Sequence, residues 1–590
     1  MGRPLTATTP EGGHPGQVSG QREWTAIDKA ADAYVDAVVA LRPLLATAVG
    51  LPGDESRLDD LSPDGIAERT DLDRRTLRGL EALTAVDATD AVTLEAMRER
   101  IGVGLEQFDA GIPHAELNVL ASPMQAVRDV LDLMPTDTAD DWATLAQRMS
   151  AIPLALEQWH ASLLYARDGA GGGKGRVAAR RQVLACIEQA QGFASQTGFF
   201  AQLPGRARLG EGDPLPASVL ADLEAAAAAA RVGYGDTARR LSDDLAPIAS
   251  EDDACGREAY GLHSRFFLGA EVDLAETYAW GVAELADIRA QMAALAASIT
   301  GGSASDPDIV AAAAQALDDD PRYQLHGTDA LRAWMQEQAD TAVDALAGAH
   351  FDIPDPLRRI EARIAPTQTG GIYYTSPSDD LRRPGAMWWS VPPGVTTFST
   401  WQEQTTVYHE GVPGHHLQIG QAVVNSAQLN RWRRMLSWTS GHGEGWALYA
   451  ERLMDELGYL ADPGNRLGML DAASLRAARV VIDIGVHCGF EAPEAVGGGA
   501  WTYDKAWALL RASALIPEPM ARFELDRYLG WPGQAPSYKI GERLWLDLRE
   551  QVRAREGADF DLRAFHERAL AMGGVGLDTL RRAVLTPQAP

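Results

Sequence analysis

The stretch DWATLAQRMSAIPLALEQWHASLLYA (residues 141–166) carries apolar residues at spacings of three and four, set among Ala, Leu, Glu and Arg, which favour helix. AIDKAADAYVDAVVALRPLL (26–45) and LADLEAAAAAARVGYG (220–235) repeat the pattern, and most of the chain reads the same way. Strand-like runs are rare. The clearest are GGIYYTS (370–376), AMWWSVPP (386–393) and VTTFST (395–400), where β-branched or aromatic residues stand between Pro and Gly breaks. They are expected to form one small sheet inside a mainly α-helical protein.

The 590 residues hold 53 Lys+Arg and 82 Asp+Glu, a net charge of −29. With 46% hydrophobic and 23% charged residues, wholesale disorder is excluded. The acidity argues against a nucleic-acid or anionic-membrane partner, since following phosphates requires a basic face. Cys186, Cys255 and Cys488 are too few and too scattered for a disulfide framework or a thiolate zinc site; they read as buried reduced thiols, which suits a cytoplasmic location. No run of about 18 apolar residues occurs, so no membrane span is expected. Residues 1–22 lack an apolar core and read as a disordered tail rather than a signal peptide. Residues 23–250 are expected to form an N-terminal helical lobe and 251–590 a catalytic lobe holding the sheet, in one continuous unit. DGAGGGKGR (168–176) is not a phosphate loop: Lys174 is followed by Gly175, and no strand precedes it; it reads as a linker.

Four of the 12 histidines, His409, His415, His416 and His442, fall within TTVYHEGVPGHHLQIG (405–420) and GHGEGWALYAERL (441–453). His409–Glu410 resembles the start of H-E-x-x-H, where two His ligands four apart share a helix face and the Glu is the general base. The spacing here differs. On an ideal helix His415 would point about 120° away from His409, and His416 would lie about 10.5 Å along the axis. A regular helix therefore cannot converge them. Pro413 lacks an N–H and clashes with the carbonyl four residues back, and Gly411 and Gly414 relax the backbone, so a bulge over 411–414 is expected to swing His415 beside His409. Glu444, on a second helix-like run with Trp446, supplies a third ligand and leaves one position open for water. Glu451, two turns on, is the rival ligand, and His442 is expected near the site rather than in it.

HEGVPGHHLQ (409–418), EGWALYAERL (444–453), RVVIDIGVH (479–487) and ELDRYLGWPGQAPSYKIG (524–541) together resemble the bacterial domain-of-unknown-function family numbered 885, over residues 23–590. The resemblance places it in the clan of zinc metallopeptidases with a Glu third ligand. It implies a two-lobed helical, cleft-bearing metallopeptidase-like fold with a small sheet beside the active-site helix, and one bound Zn2+. The pattern H-E-x-x-P-G-H matches His409, Glu410, Pro413, Gly414 and His415, and so favours His415 over His416.

On this reading the enzyme is a zinc-dependent hydrolase of short peptides, of carboxypeptidase or dipeptidyl-carboxypeptidase type. Glu410 takes a proton from water and Tyr538 stabilises the oxyanion, with Tyr528 and Tyr374 as rivals. Arg527 or Lys539 would hold a substrate carboxylate, unless paired with Glu524 or Asp526. Arg479, Asp483 and His487 share a helix face, and Asp483 could fix the tautomer of His487 in a supporting shell. GGIYYTS or AMWWSVPP would offer an edge for an extended substrate, with Tyr373, Tyr374, Trp388 and Trp389 lining subsites. The alternatives are a metal-dependent hydrolase of a non-peptide amide or ester, and a non-catalytic binding protein on a peptidase fold.

Overall fold

A computed structural model describes residues 22–169, 175–210, 212–365 and 371–586. The protein is mainly helical, and the described residues hold two small sheets, one of two strands and one of three. The periodic stretches form helices, broken where proline sits in a first turn. Residues 26–45 divide into Ala26–Leu41 and a helix opening at Pro43, and residues 141–166 into Ala139–Ser150 and Ile152–Arg167 with Pro153 in the opening turn. Capping boxes at Thr25/Asp28 and Thr138/Asp141 satisfy the first free N–H groups of two of these helices. Of the tail expected over 1–22, only Arg22 is among the described residues, and it pairs with Asp28, Asp87 and Asp90. Residues 170–174 of the expected linker lie outside them. No helix among the described residues is long and apolar enough to cross a membrane.

Two large cores organise the chain. One is built wholly from residues between Leu58 and Ala246. The other runs through the second half and also takes in Ile27, Val35, Leu94 and Ile101, so the helices Ala26–Leu41 and Ala88–Asp109 stand on the C-terminal core although they precede residue 250. Cys186 is buried, whereas Cys255 and Cys488 are half-buried; all three are free thiols.

The strands do not form the single sheet expected. β1 (Gln324–His326) pairs antiparallel with β5 (Thr397–Ser399) in a ladder of its own. β2 (Ile360–Ile364), β3 (Ile372–Thr375) and β4 (Gly385–Trp389) make a second sheet in the order β2-β4-β3, β2 parallel and β3 antiparallel to β4. The Pro392–Pro393–Gly394 turn separates β5 from β4: Val395 N–H bonds to Pro392 O at 3.2 Å, and Gly394 sits at φ +82°. β4 is central, so AMWWSVPP cannot offer a free edge. The outer edge of β2 is occupied by Gln336, which bonds Ile360 O and Ala362 N, both at 2.9 Å. That leaves β3 as the edge, within GGIYYTS.

Four helices carry the candidate site residues of the C-terminal half: Thr400–Glu410, His415–Val424, Ser440–Glu456 and Ser537–Glu556. The long helix Pro463–Cys488, capped by Asp462 and ended by Gly489 at φ +69°, runs behind them. Its Gly468 allows close approach to the first of the four, since a Cβ there would stand 2.1 Å from Trp401 O.

Candidate metal centre

The helix carrying His409 ends at Glu410, and a new one begins at His415. Instead of the expected bulge within one helix, the chain breaks fully over residues 411–414, with a cis Val412–Pro413 peptide. Gly414 is required there by close approach: a Cβ would stand 1.9 Å from His409 O and 2.4 Å from Tyr408 O. Gly411 N–H still bonds Val407 O at 2.9 Å, and Gly414 N–H bonds Tyr408 O at 3.0 Å. The break turns the second helix so that the His409 and His415 rings lie 4.8 Å apart, nearly perpendicular.

Glu444 completes the cluster. Its Oε2 lies 3.3 Å from His409 Nε2 and 3.4 Å from His415 Nε2, and ligand atoms of the three residues all fall within 4.8 Å of one another. Atoms bonded at about 2.0–2.1 Å to one tetrahedral zinc stand about 3.3–3.4 Å apart, so the two distances from Glu444 Oε2 fit a zinc ion. The surrounding bonds agree. His409 Nδ1 bonds Glu451 Oε1 at 2.8 Å, which turns Nε2 toward the cluster. Glu451 is itself held by the Thr405 hydroxyl. It is thus an orienting partner of His409 rather than the third ligand. Burial opposes protonation of His409, but the carboxylates of Glu444 and Glu451 outweigh it and push its pKa up to about 10. Burial likewise raises Glu444, yet the two imidazoles hold its carboxyl well below the usual range. Such a site favours positive charge, which a proton or a metal cation can supply.

Glu410 is buried beside the cluster, and its Oε2 has no hydrogen-bond partner. Burial raises its pKa, offset in part by His409 and His415. Tyr538 lies on the helix Ser537–Glu556, which packs closely on Ser440–Glu456, the helix of Glu444. The contact is made of glycine: a Cβ on Gly445 would stand 2.4 Å from the Gly541 carbonyl carbon, and one on Gly541 2.2 Å from Gly441 O. Burial and the nearby Glu444 charge raise the Tyr538 pKa, so its hydroxyl stays a donor.

The chain matches the family described as bacterial protein of unknown function (DUF885) over residues 43–584. It belongs to the DUF885 family. Two solved structures share the fold of this DUF885 chain. "The putative lipoprotein from Colwellia psychrerythraea" has a TM-score of 0.79 at 22% identity, covering 95% of this chain and 98% of its own. "A putative lipoprotein of unknown function from Shewanella oneidensis" has a TM-score of 0.69 at 18% identity, covering 95% of this chain and 100% of its own. No curated protein matches.

Several residues singled out from the DUF885 motifs lie elsewhere. His416 points away from His415, accepting from Tyr374 OH at 2.9 Å and donating to Leu357 O at 2.9 Å. Tyr374 thereby docks β3 on the His415 helix and is not free to bind substrate. Lys539 is buried and paired with Glu542 at 2.6 Å and Glu284 at 3.0 Å, so it is no substrate anchor. Arg527 is spent on Glu524 at 2.9 Å and Gln534 at 2.5 Å. Tyr528 donates to Glu524, which excludes it as the oxyanion donor. Asp483 does not pair with His487. It accepts from Gly533 N–H at 3.0 Å, while His487 bonds Tyr528 O and Cys255 N–H. Asp483 thus anchors the turn before Tyr538, and His487 ties the end of the helix Glu518–Gly530 to the segment at Cys255. His442 stacks on Trp545 at 5.5 Å, near the site and outside it, with its pKa pushed down by burial to about 3.

Three residues near the site have roles that the sequence reading did not assign. Trp446 donates to Pro413 O at 2.8 Å, pinning the break between the two histidines. Trp438 is half exposed with its ring 6.1 Å from that of His415, at the mouth of the site. Arg476 stands close enough for its charge to act on Glu410 and Tyr538. The signal for Trp446 was its place in EGWALY beside Glu444; nothing in the sequence marks Trp438 or Arg476.

Proposed function

We propose that this protein is a zinc-dependent hydrolase of short peptides, of carboxypeptidase or dipeptidyl-carboxypeptidase type, and that its family belongs with the zinc metallopeptidases that use a Glu third ligand. The observation that carries the reading is the approach of Glu444 Oε2 to His409 Nε2 at 3.3 Å and to His415 Nε2 at 3.4 Å, with ligand atoms of all three residues within 4.8 Å of one another and the buried Glu410 Oε2 without a hydrogen-bond partner. His409, His415 and Glu444 would hold the ion, and zinc bound there supplies Lewis acidity toward water and a carbonyl oxygen. The protein groups do the rest. Glu410 accepts the proton of the attacking water at its free Oε2 and returns it to the leaving amine. Tyr538 donates its O–H to the oxyanion. Glu451 keeps His409 in the tautomer that faces the cluster. β3 offers main-chain groups to an extended peptide, since its outer edge has no strand partner among the described residues.

Glu410→Gln tests the assignment. The variant is expected to keep one zinc per chain by elemental analysis and to lose hydrolysis of a short-peptide library by about a hundredfold or more. Full activity would remove Glu410 from the mechanism. Cleavage of acylated small amides or esters, with peptides left intact, would move the reading to a non-peptide substrate.

A further inference from the structure

The segment that leads into the helix of Glu444 sets an indole against the cluster. Thr439 is the N-cap of the helix Ser440–Glu456, so Trp438 stands just before the cap and Gly443 is the fourth residue of the helix. An apolar side chain before the cap commonly packs on one at the fourth position and fixes how the chain enters the helix. Here the fourth position has no side chain to offer. The indole lies on the helix backbone instead: a Cβ on Gly443 would stand 2.1 Å from Trp438 Cη2 and 2.6 Å from Cζ3. On another side its ring centroid is 6.1 Å from that of His415, at an interplanar angle of 57°. Trp438 thus touches one candidate ligand and the residue directly before another. Its backbone is held as well, Ser437 N–H bonding Trp432 O at 2.8 Å and Trp438 N–H bonding Leu436 O at 2.9 Å.

The rest of this large apolar side chain faces solvent. Trp438 is 51% exposed, more than any other aromatic residue among the described residues. His415 is the one ring within stacking range of it among those residues. The seat also lies on the accessible side of the cluster: the side chains of Glu444 and His415 keep 16% and 8% of their exposure, and that of His409 keeps 5%. Covering a free indole face with an apolar side chain is favourable, through the area removed from water and through ring-on-ring contact. Glu444, the carboxylate next to the seat, lies against both imidazoles and is not free to hold a cation, so the face suits an apolar side chain rather than a basic one. We propose that Trp438 determines specificity, its open face receiving a large apolar or aromatic side chain from a residue that flanks the scissile bond. This rests on the peptidase reading and narrows its substrates to peptides with such a residue beside the bond that is cleaved.

The test reads binding rather than turnover. The full-length Glu410→Gln protein, supplied with zinc, is titrated by calorimetry with the tripeptides Ala-Phe-Ala and Ala-Ala-Ala. The middle residue flanks both peptide bonds, so either register brings it to the site. The Phe peptide is expected to bind about twentyfold more tightly. Adding Trp438→Ala should bring it to the level of the Ala peptide, with zinc content by elemental analysis unchanged. Trp438→Gln should do the same, and it serves if the Ala variant does not fold. Trp438→Phe keeps an aromatic face and should hold the preference within about threefold of the parent. Equal binding of the two peptides, binding of neither, or an undiminished preference in the Ala or Gln variant overturns the subsite. A preference that depends on Trp438, in a wild-type protein that cleaves no peptide, keeps the subsite and removes the peptidase reading.

Discussion

The indole N–H of Trp446 donates to Pro413 O at 2.8 Å, joining the helix that carries Glu444 to the break that delivers His415. One side chain therefore fixes the relative placement of two candidate ligands. Trp446 is itself immobilised, fully buried against Trp545 at 4.9 Å and Phe351 at 6.3 Å between ring centroids. The His409, His415 and Glu444 cluster is thus held by the core of the C-terminal half rather than by a loop.

Trp446→Phe should expose that dependence. It preserves an aromatic ring but leaves Pro413 O without its donor. A buried acceptor stripped of its partner costs about 1–3 kcal/mol, which chemical denaturation would read. Zinc affinity, measured by competition with a chromophoric chelator, should fall about tenfold or more because His415 loses its fixed approach. Unchanged affinity would show that the break is held without Trp446.

Glu444 and Glu451 lie on one helix, Glu444 the expected third ligand and Glu451 its rival two turns on. Their contacts separate them: Glu444 faces both Nε2 atoms, and Glu451 meets only His409 Nδ1. Glu444→Gln should remove stoichiometric zinc. Glu451→Gln, whose carbonyl can still accept from Nδ1–H, should weaken zinc binding about 10- to 100-fold while leaving the site able to fill. Equal losses in the two variants would contradict this division.

The histidine cluster was legible because its signals are local. Gly411, Pro413 and Gly414 announce a break between His409 and His415, and the backbone obeys steric rules that act over a few residues. The mainly helical class was legible for the same reason. β2 was not, because Ile360–Ile364 owes its strand to β4 and Gln336 rather than to its own propensity, with charged Glu361 and Arg363 on alternate positions. For Arg527 the structural alternative, pairing with Glu524, holds, whereas the partners of Lys539 were not legible because packing sets them: Glu284 is remote in sequence. A sequence shows that a cation is present, not whether the fold has already neutralised it.

Helix contact at glycine sets the distance between Glu444 and Tyr538. Gly445→Ala would place a methyl 2.4 Å from the Gly541 carbonyl carbon, and backbone cannot yield as a flexible side chain can. The expected cost is about 1–3 kcal/mol in denaturant unfolding, with peptide hydrolysis reduced as Tyr538 moves away. Gly102→Ala is the control. It sits within the helix Ala88–Asp109 with nothing within 4 Å of a new methyl, and should be stabilising by about 0.5–1 kcal/mol. A neutral Gly445→Ala would mean that the two helices can separate without consequence.

Glu524 gives a pH-dependent prediction away from the metal ligands. Burial would raise its pKa, but Arg479 and Arg527 outweigh it and pull the carboxyl from its ordinary 4.5 down to about 2. A depressed carboxyl contributes stability that is fully present above pH 4.5 and is lost as pH falls through 2. Glu524→Gln removes that contribution and leaves buried Arg479 without its carboxylate, so at pH 7 it should unfold with about 3–5 kcal/mol less stability than the wild type. Between pH 4.5 and 2 the wild-type carboxyl takes up its proton and the two proteins should converge. Denaturant midpoints measured across that window check the sign: a gap that stays constant, or widens on acidification, would show that the Arg479–Glu524 pair does not stabilise the fold through its charge.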